Sequence, residues 1–207
     1  MLRGRDIKRF GYQYADLWII STFPSLKIDI DKFPSVKQHL LSFGYDRLKQ
    51  TGGVGSRKKT NNKWFETQDS ISYWDDFSKQ KIIWIELVDK GRFAVDRNEN
   101  YLTLNGTFIM TGGDLEYLCC ILNNPVTSWH FNTFCISSGV GTNQWRELYV
   151  KELFIPHIKL EERLKVLELF NNDDLCFDEQ QQDKLNHMVY DILNLNEEEI
   201  AFIQDTM

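Results

Sequence analysis

The spacing of apolar positions divides this 207-residue chain near Pro156. Up to that point short apolar runs are separated by turn residues, the pattern of strands interspersed with helices. Strands are predicted at Leu17 to Ile20, at Lys81 to Leu87 with Ile82, Ile83, Trp84 and Ile85, at Tyr101 to Leu104, at Thr107 to Met110 and at Leu148 to Ile155. Asn105-Gly106 separates the third from the fourth. Both central positions of a two-residue hairpin turn need positive φ, which this pair tolerates, so a hairpin is expected from Tyr101 to Met110.

Helical signals are as local. Phe33-Pro34-Ser35 opens a stretch in which Val36, Leu40 and Phe43 share a face, and Gly44 stops it. A helix pair is predicted over Asp114 to Leu122 and from Pro125 to near Phe134, with Asn124 as the cap. Beyond Pro156 the pattern is wholly helical: Leu160, Leu164 and Leu167 recur at helical spacing, and Leu185, Met188, Val189, Ile192 and Leu193 form an amphipathic stripe. Asp178 with Gln181, and Asn196 with Glu199, stand at the offset of a capping box, so two helices are expected to begin there. The predicted fold class is α+β. A mixed-sheet domain with packed helices occupies residues 1–158, and an acidic helical tail over 159–207 packs on it or on a partner domain.

With 42 % apolar and 14 % aromatic residues the chain can bury a sizeable core. It has no apolar run of membrane-spanning length and no leader pattern, so no membrane partner and a cytoplasmic location are expected. The cysteines Cys119, Cys120, Cys135 and Cys176 lack the paired spacing of a zinc site and are expected to be reduced and mostly in the core. The histidines His39, His130, His157 and His187 are scattered among apolar neighbours, and no metal site is expected.

A net charge of −6 argues against a nucleic-acid partner, but the charge is unevenly spread. Residues 1–159 hold 21 Lys and Arg against 17 Asp and Glu, whereas residues 160–207 hold 3 against 13. Any DNA-facing surface is therefore expected in residues 1–159. The acidic face of the tail is either simply solvated or docks a basic partner.

No catalytic constellation is visible. An adenine amino-methyltransferase needs a polar residue, two prolines and an aromatic ring in succession to hold and stack the flipped base, and Pro24, Pro34, Pro125 and Pro156 are all isolated. A magnesium nuclease of the common restriction type needs Pro-Asp followed by an acidic-x-Lys triplet, and no Pro-Asp occurs. Gly52-Gly53-Val54-Gly55-Ser56-Arg57-Lys58-Lys59-Thr60 looks superficially like a phosphate loop, but it follows a helix and no Gly directly precedes its Lys.

Three segments are candidates for binding. Lys49 to Trp64 carries Arg57, Lys58, Lys59 and Lys63 among small polar residues; it either follows a phosphate backbone or is an exposed loop made soluble by its charge. Trp64-Phe65 beside these cations could stack or wedge, or could belong to the core. Arg3, Arg5, Lys8 and Arg9 form a second basic cluster, and Ser137 to Arg146 is a flexible glycine-bearing loop ending in a cation.

Three further segments occur in a telling order: Leu2-Arg3-Gly4-Arg5-Asp6-Ile7-Lys8-Arg9-Phe10, then Gly139-Val140-Gly141 through Trp145 to Leu153-Phe154-Ile155-Pro156, then Val189-Tyr190-Asp191-Ile192-Leu193 followed by Glu197-Glu198-Glu199-Ile200. With Trp64-Phe65-Glu66, Lys81-Ile82-Ile83 and Leu115 to Asn123 between them, they resemble the C-terminal specificity domain of TaqI-like adenine DNA methyltransferases and fused restriction-modification enzymes, from Leu2 to near Ile203. The resemblance implies a target-recognition domain for double-stranded DNA with no catalysis or cofactor of its own. A methyltransferase domain preceding it in the same natural chain would bind S-adenosylmethionine and transfer the methyl group. Residue 1 falls where that half would end, which favours a piece of a longer protein. Expected DNA contacts are Arg57, Lys58, Lys59 and Lys63, then Trp64, Arg3, Arg5 and Arg146. The rival expectation is a protein-interaction subunit that docks a methyltransferase or nuclease and has little DNA affinity.

Overall fold

The computed structural model describes residues 1–98, 101–157, 159–170 and 177–206, so Cys176 lies outside the described residues. The chain forms two compact units: a body made of Met1–Leu17 and Asp75–Met207, and an insert, Trp18–Trp74. The strand predicted at Leu17 to Ile20 does not form, because this stretch is where the chain passes from body to insert and it joins no ladder.

The insert contains two 3-10 turns, Pro24–Leu26 and Ile30–Lys32, and two helices, α1 (Pro34–Leu41) and α2 (Tyr45–Leu48). Helix α1 starts at Pro34, whose fixed φ suits the first turn, and the chain leaves it through Gly44 at φ +93°. The stripe predicted for α1 is only shallowly covered: Val36 and Leu40 are half-buried and Phe43 is exposed. Phe23, Ile30 and Phe65 are the buried apolar residues, joined by the buried polar residues Thr22, Gln50 and Glu66. From Lys49 to Tyr73 the insert has no helix or strand, and side-chain bonds to main-chain atoms organise it.

Among the described residues the body has five strands, β1 (Lys81–Ile85), β2 (Leu87–Val88), β3 (Phe93–Asp96), β4 (Thr107–Thr111) and β5 (Asn143–Gln144). One antiparallel sheet has the order β3-β1-β4, and β2 pairs with β5. Alternation along a strand sends neighbours to opposite faces. Ile82 and Trp84, with Val95, Phe93, Met110 and Phe108 in register beside them, join the main core, whereas Ile83, Ala94 and Ile109 meet Leu2, Ile7 and Tyr12 of the N-terminal segment. The turn at Asn105-Gly106 forms, with Gly106 at φ +85°, but the expected Tyr101–Met110 hairpin does not. Strand β4 pairs with β1, and Thr103 makes only an isolated bridge to Leu2, because the buried β1 run offers a ladder with apolar neighbours on both faces.

Helices α3 (Leu115–Leu122), α4 (Pro125–Asn132), α5 (Glu147–Val150), α6 (Leu160–Phe170), α7 (Glu179–Ile192) and α8 (Glu197–Asp205) complete the body. Helix α3 packs on β3 and against α6 and α7, while α8 packs on α4, so the tail helices cover their own body. The side chain of Asn124 caps α4 by accepting from Val126 N at 2.9 Å. Both capping boxes close: Asp178 and Gln181 exchange bonds of 2.8 and 2.9 Å, and Asn196 and Glu199 exchange bonds of 3.0 and 2.9 Å. Two apolar readings change. Leu148 to Ile155 is helix α5 and a turn rather than a strand, and α6 buries Val166 and Phe170 while Leu160 and Leu164 stay exposed.

Several buried polar groups of the body are paired with one another. Lys81 and Asp96, partners across β1 and β3, form a 2.6 Å ion pair with both side chains fully buried. Arg9 donates to Asn123 O at 2.8 Å and to Asn186 Oδ1 at 3.0 Å, while the side chain of Asn123 bonds both Phe93 N and Phe93 O. This network ties the N-terminal segment, β3, the end of α3 and α7 together. Phe131 and Trp145 stack with ring centroids 3.7 Å apart, and a Cβ at Gly91 would lie 2.7 Å from the Phe93 ring and 2.9 Å from Trp145. Burial pushes the Cys119 thiol well up and the Cys120 thiol up to about 12, which keeps both protonated.

Candidate nucleic-acid interface

The basic loop of the insert is a braced structure. Its two legs are linked by Gly52 N to Arg57 O at 3.0 Å, Arg57 N to Lys49 O at 3.0 Å and Thr60 N to Gln50 O at 3.1 Å. The Arg57 guanidinium donates to Leu48 O at 2.7 Å, to Glu66 O at 3.0 Å and to Trp64 O. Three of its donors thus grip the main chain on both sides of the loop, and desolvation lowers its pKa. The buried Gln50 adds bonds from Nε2 to Lys63 O at 3.1 Å and Glu66 O at 2.8 Å, and its Oε1 accepts from Thr60 Oγ1 at 2.6 Å. Glu66 Oε2 accepts from Lys63 N at 2.7 Å.

What the brace displays is simple. Lys58 and Lys59 are exposed, and their side chains make no ion pair or hydrogen bond among the described residues. Lys49 is ion-paired with Asp46 at 2.6 Å. Lys63 Nζ reaches Ile28 O at 3.2 Å and lies 5.6 Å from the Phe65 ring centroid. Trp64 is half-buried and packs on Tyr45 and Phe65 at 5.9 and 5.6 Å, and Phe65 is buried. The insert holds nine Lys and Arg against five Asp and Glu, a positive excess inside a chain of net charge −6.

The other candidate cations belong to the body. Arg3 makes a bidentate pair with the buried Asp6, through Nε at 2.9 Å and NH2 at 2.8 Å, and that guanidinium holds the Asp6 carboxyl below its usual range. Arg5 is exposed, and its guanidinium is unpaired among the described residues. Arg146 is bonded to Glu86 at 3.0 Å with half of its side chain exposed. The Ser137 to Asn143 loop closes through Ser138 N to Thr142 O at 2.8 Å and contains no cation.

The structure therefore separates the eight expected contacts by what their side chains touch. Lys58, Lys59 and Arg5 are free to meet an anion, Lys63 and Trp64 are partly engaged, Arg146 is ion-paired, and Arg3 and Arg57 hold main chain or a buried carboxylate. Gln50 escaped sequence reasoning because a single glutamine gives no signal of burial. Among the described residues no three His, Cys, Asp or Glu side chains gather as a metal site, and no helix is long and apolar enough to cross a membrane.

Small antiparallel sheets packed with helices, carrying a braced cation-bearing loop in a basic insert, define a mixed α/β binding scaffold. The chain belongs to the TaqI-like C-terminal specificity domains, which it matches over residues 1–155. Membership implies DNA target recognition within methyltransferase and restriction-modification systems. The matched stretch contains the insert and all five strands and ends before α6. No curated protein matches the chain.

Proposed function

We propose that this chain recognises a specific sequence in double-stranded DNA for an adenine methyltransferase. A separate N-terminal domain of the longer enzyme would bind S-adenosylmethionine and transfer the methyl group to adenine N6, while this chain grips the duplex and reads bases. The observation that carries the reading is the pair of free lysines, Lys58 and Lys59, held on a loop whose backbone is braced by Arg57 and Gln50. A braced loop loses little conformational freedom on binding. Lys63 and Arg5 add phosphate contacts, Trp64 offers a ring edge to the duplex, and Arg146 reaches it by exchanging Glu86 for phosphate. Arg57 and Arg3 act by positioning main chain.

The test is selection of a random duplex library on the chain at low salt, with Lys58→Glu/Lys59→Glu beside it. An enriched short motif supports base readout. Each phosphate contact contributes about 0.9 to the slope of log affinity against log salt, so losing two flattens it by about 1.8 while weakening binding to every duplex. Unchanged affinity and slope in the double variant would remove this loop from the interface. A wild-type chain that retains no duplex would return the protein to the rival reading of an interaction subunit.

A further inference from the structure

We infer that Val54 is the base-reading residue of the insert and that it recognises the methyl group of a thymine in the major groove. This rests on the DNA-binding reading above. Val54 has a relative exposure of 110 %, the highest among the exposed large hydrophobics of the described residues. It stands in Thr51-Gly52-Gly53-Val54-Gly55-Ser56, where no neighbour offers an apolar surface to cover it. A single exposed apolar residue is ordinary on a protein surface; Val54 is set apart by its place, in the tight turn closed by Ser56 N to Gly53 O at 3.0 Å, between glycines at the tip of the braced basic loop.

The tip is shaped for entry. Gly52 and Gly55 take φ +74° and +77°, and a Cβ at Gly52 would lie 3.1 Å from Lys59 Cβ, so the legs run too close for a larger residue there. Ser56 fixes the turn by donating to Gly53 O at 2.8 Å and bonding Thr51 Oγ1 at 3.1 Å. With glycine at 52, 53 and 55, the valine is the one bulky side chain of a slim tip, and a major groove about 12 Å wide admits such an element. Lys58 and Lys59 follow on the descending leg, free to take phosphates at the groove wall. Of the groups displayed in the major groove, only the thymine C5-methyl is apolar, and it is the natural counterpart of a valine.

The test uses the duplex motif enriched on the whole chain, with each thymine replaced in turn by uracil, which keeps every pairing edge and removes only the methyl group. Burying one methyl group is worth about fourfold in affinity. One uracil substitution should therefore weaken wild-type binding about fourfold and leave Val54→Ser, already weaker on the thymine duplex, unaffected. Val54 lies in solvent, so the serine variant keeps the fold. Absence of any uracil effect in the wild type, a motif without thymine, or an equal uracil effect in both proteins would overturn the inference. Failure of the DNA reading looks different, since no duplex would then be retained at all.

Discussion

Replacing Asp96 by Asn removes one charge from the body and almost no volume. Lys81 and Asp96 are fully buried and 2.6 Å apart, and the lysine's other two donors reach Phe77 O at 2.7 Å and Lys79 O at 3.2 Å. Asp96 Oδ2 also accepts from Tyr101 N at 3.1 Å, so this carboxylate joins β1, β3 and Tyr101. A buried pair is a poor stabiliser compared with apolar residues of the same size, but half of one is worse, because an ammonium without its counter-charge stays desolvated. Asp96→Asn keeps an acceptor for Lys81 and isolates the charge, and it should cost about 3–5 kcal/mol. Lys81→Met should cost a comparable amount, and Lys81→Met combined with Asp96→Asn less than the two single changes together, with a coupling of about 2 kcal/mol. Urea unfolding at neutral pH followed by tryptophan fluorescence reports the loss, since Trp84 and Trp145 lie in the same core. A cost below about 1 kcal/mol for Asp96→Asn, or strict additivity in the double variant, would refute the reasoning.

Arg57→Lys keeps the charge of the loop but can satisfy only one or two of the three gripped carbonyls; duplex affinity should fall about tenfold with the salt slope unchanged, in contrast to the lysine reversals. A changed slope would mean that Arg57 itself meets phosphate. The Asp6 carboxyl is depressed by Arg3, so its contribution is present above the unfolded carboxylate value of about 3.9 and is lost as pH falls through the lower folded value. Asp6→Asn should accordingly destabilise the protein at neutral pH and converge with the wild type in acid; curves that stay parallel down to the acid end would exclude the Arg3 pairing as the cause.

Features decided within one helical turn were legible in the sequence: the capping boxes at Asp178 and Asn196, the cap at Asn124 and the proline start of α1. Features decided by a distant partner were less so. Strand β3 went unseen because its four residues end in Asp96, whose burial makes sense only with Lys81 opposite. The Tyr101–Met110 hairpin was expected because its turn is genuine, but the turn does not choose the ladder and β1 outcompeted the nearer segment. At the interface the cations themselves were visible, but their assignments were not. Nothing local to Arg57 or Arg3 reveals that the carbonyls of Leu48, Trp64 and Glu66, or the carboxylate of Asp6, converge on them.

On the proposed reading, the insert's construction bears on how its loop can change target. Arg57 and Gln50 hold the loop through the carbonyls of residues 48, 63, 64 and 66. Every residue type carries that carbonyl, so these bonds make no demand on the side chains at those positions, and only Glu66 adds a side-chain bond of its own, to Lys63 N. Val54, Lys58 and Lys59 bond to none of the bracing groups, and their side chains can vary without disturbing it. The body in turn draws its stability from the two faces of the β3-β1-β4 sheet and from the Arg9–Asn123–Asn186 network, none of which includes a residue of the insert. Support and display therefore reside in different atoms of the loop. Such a division allows the display residues to be exchanged at little cost to the fold, which is the property a domain that must match new DNA sequences requires.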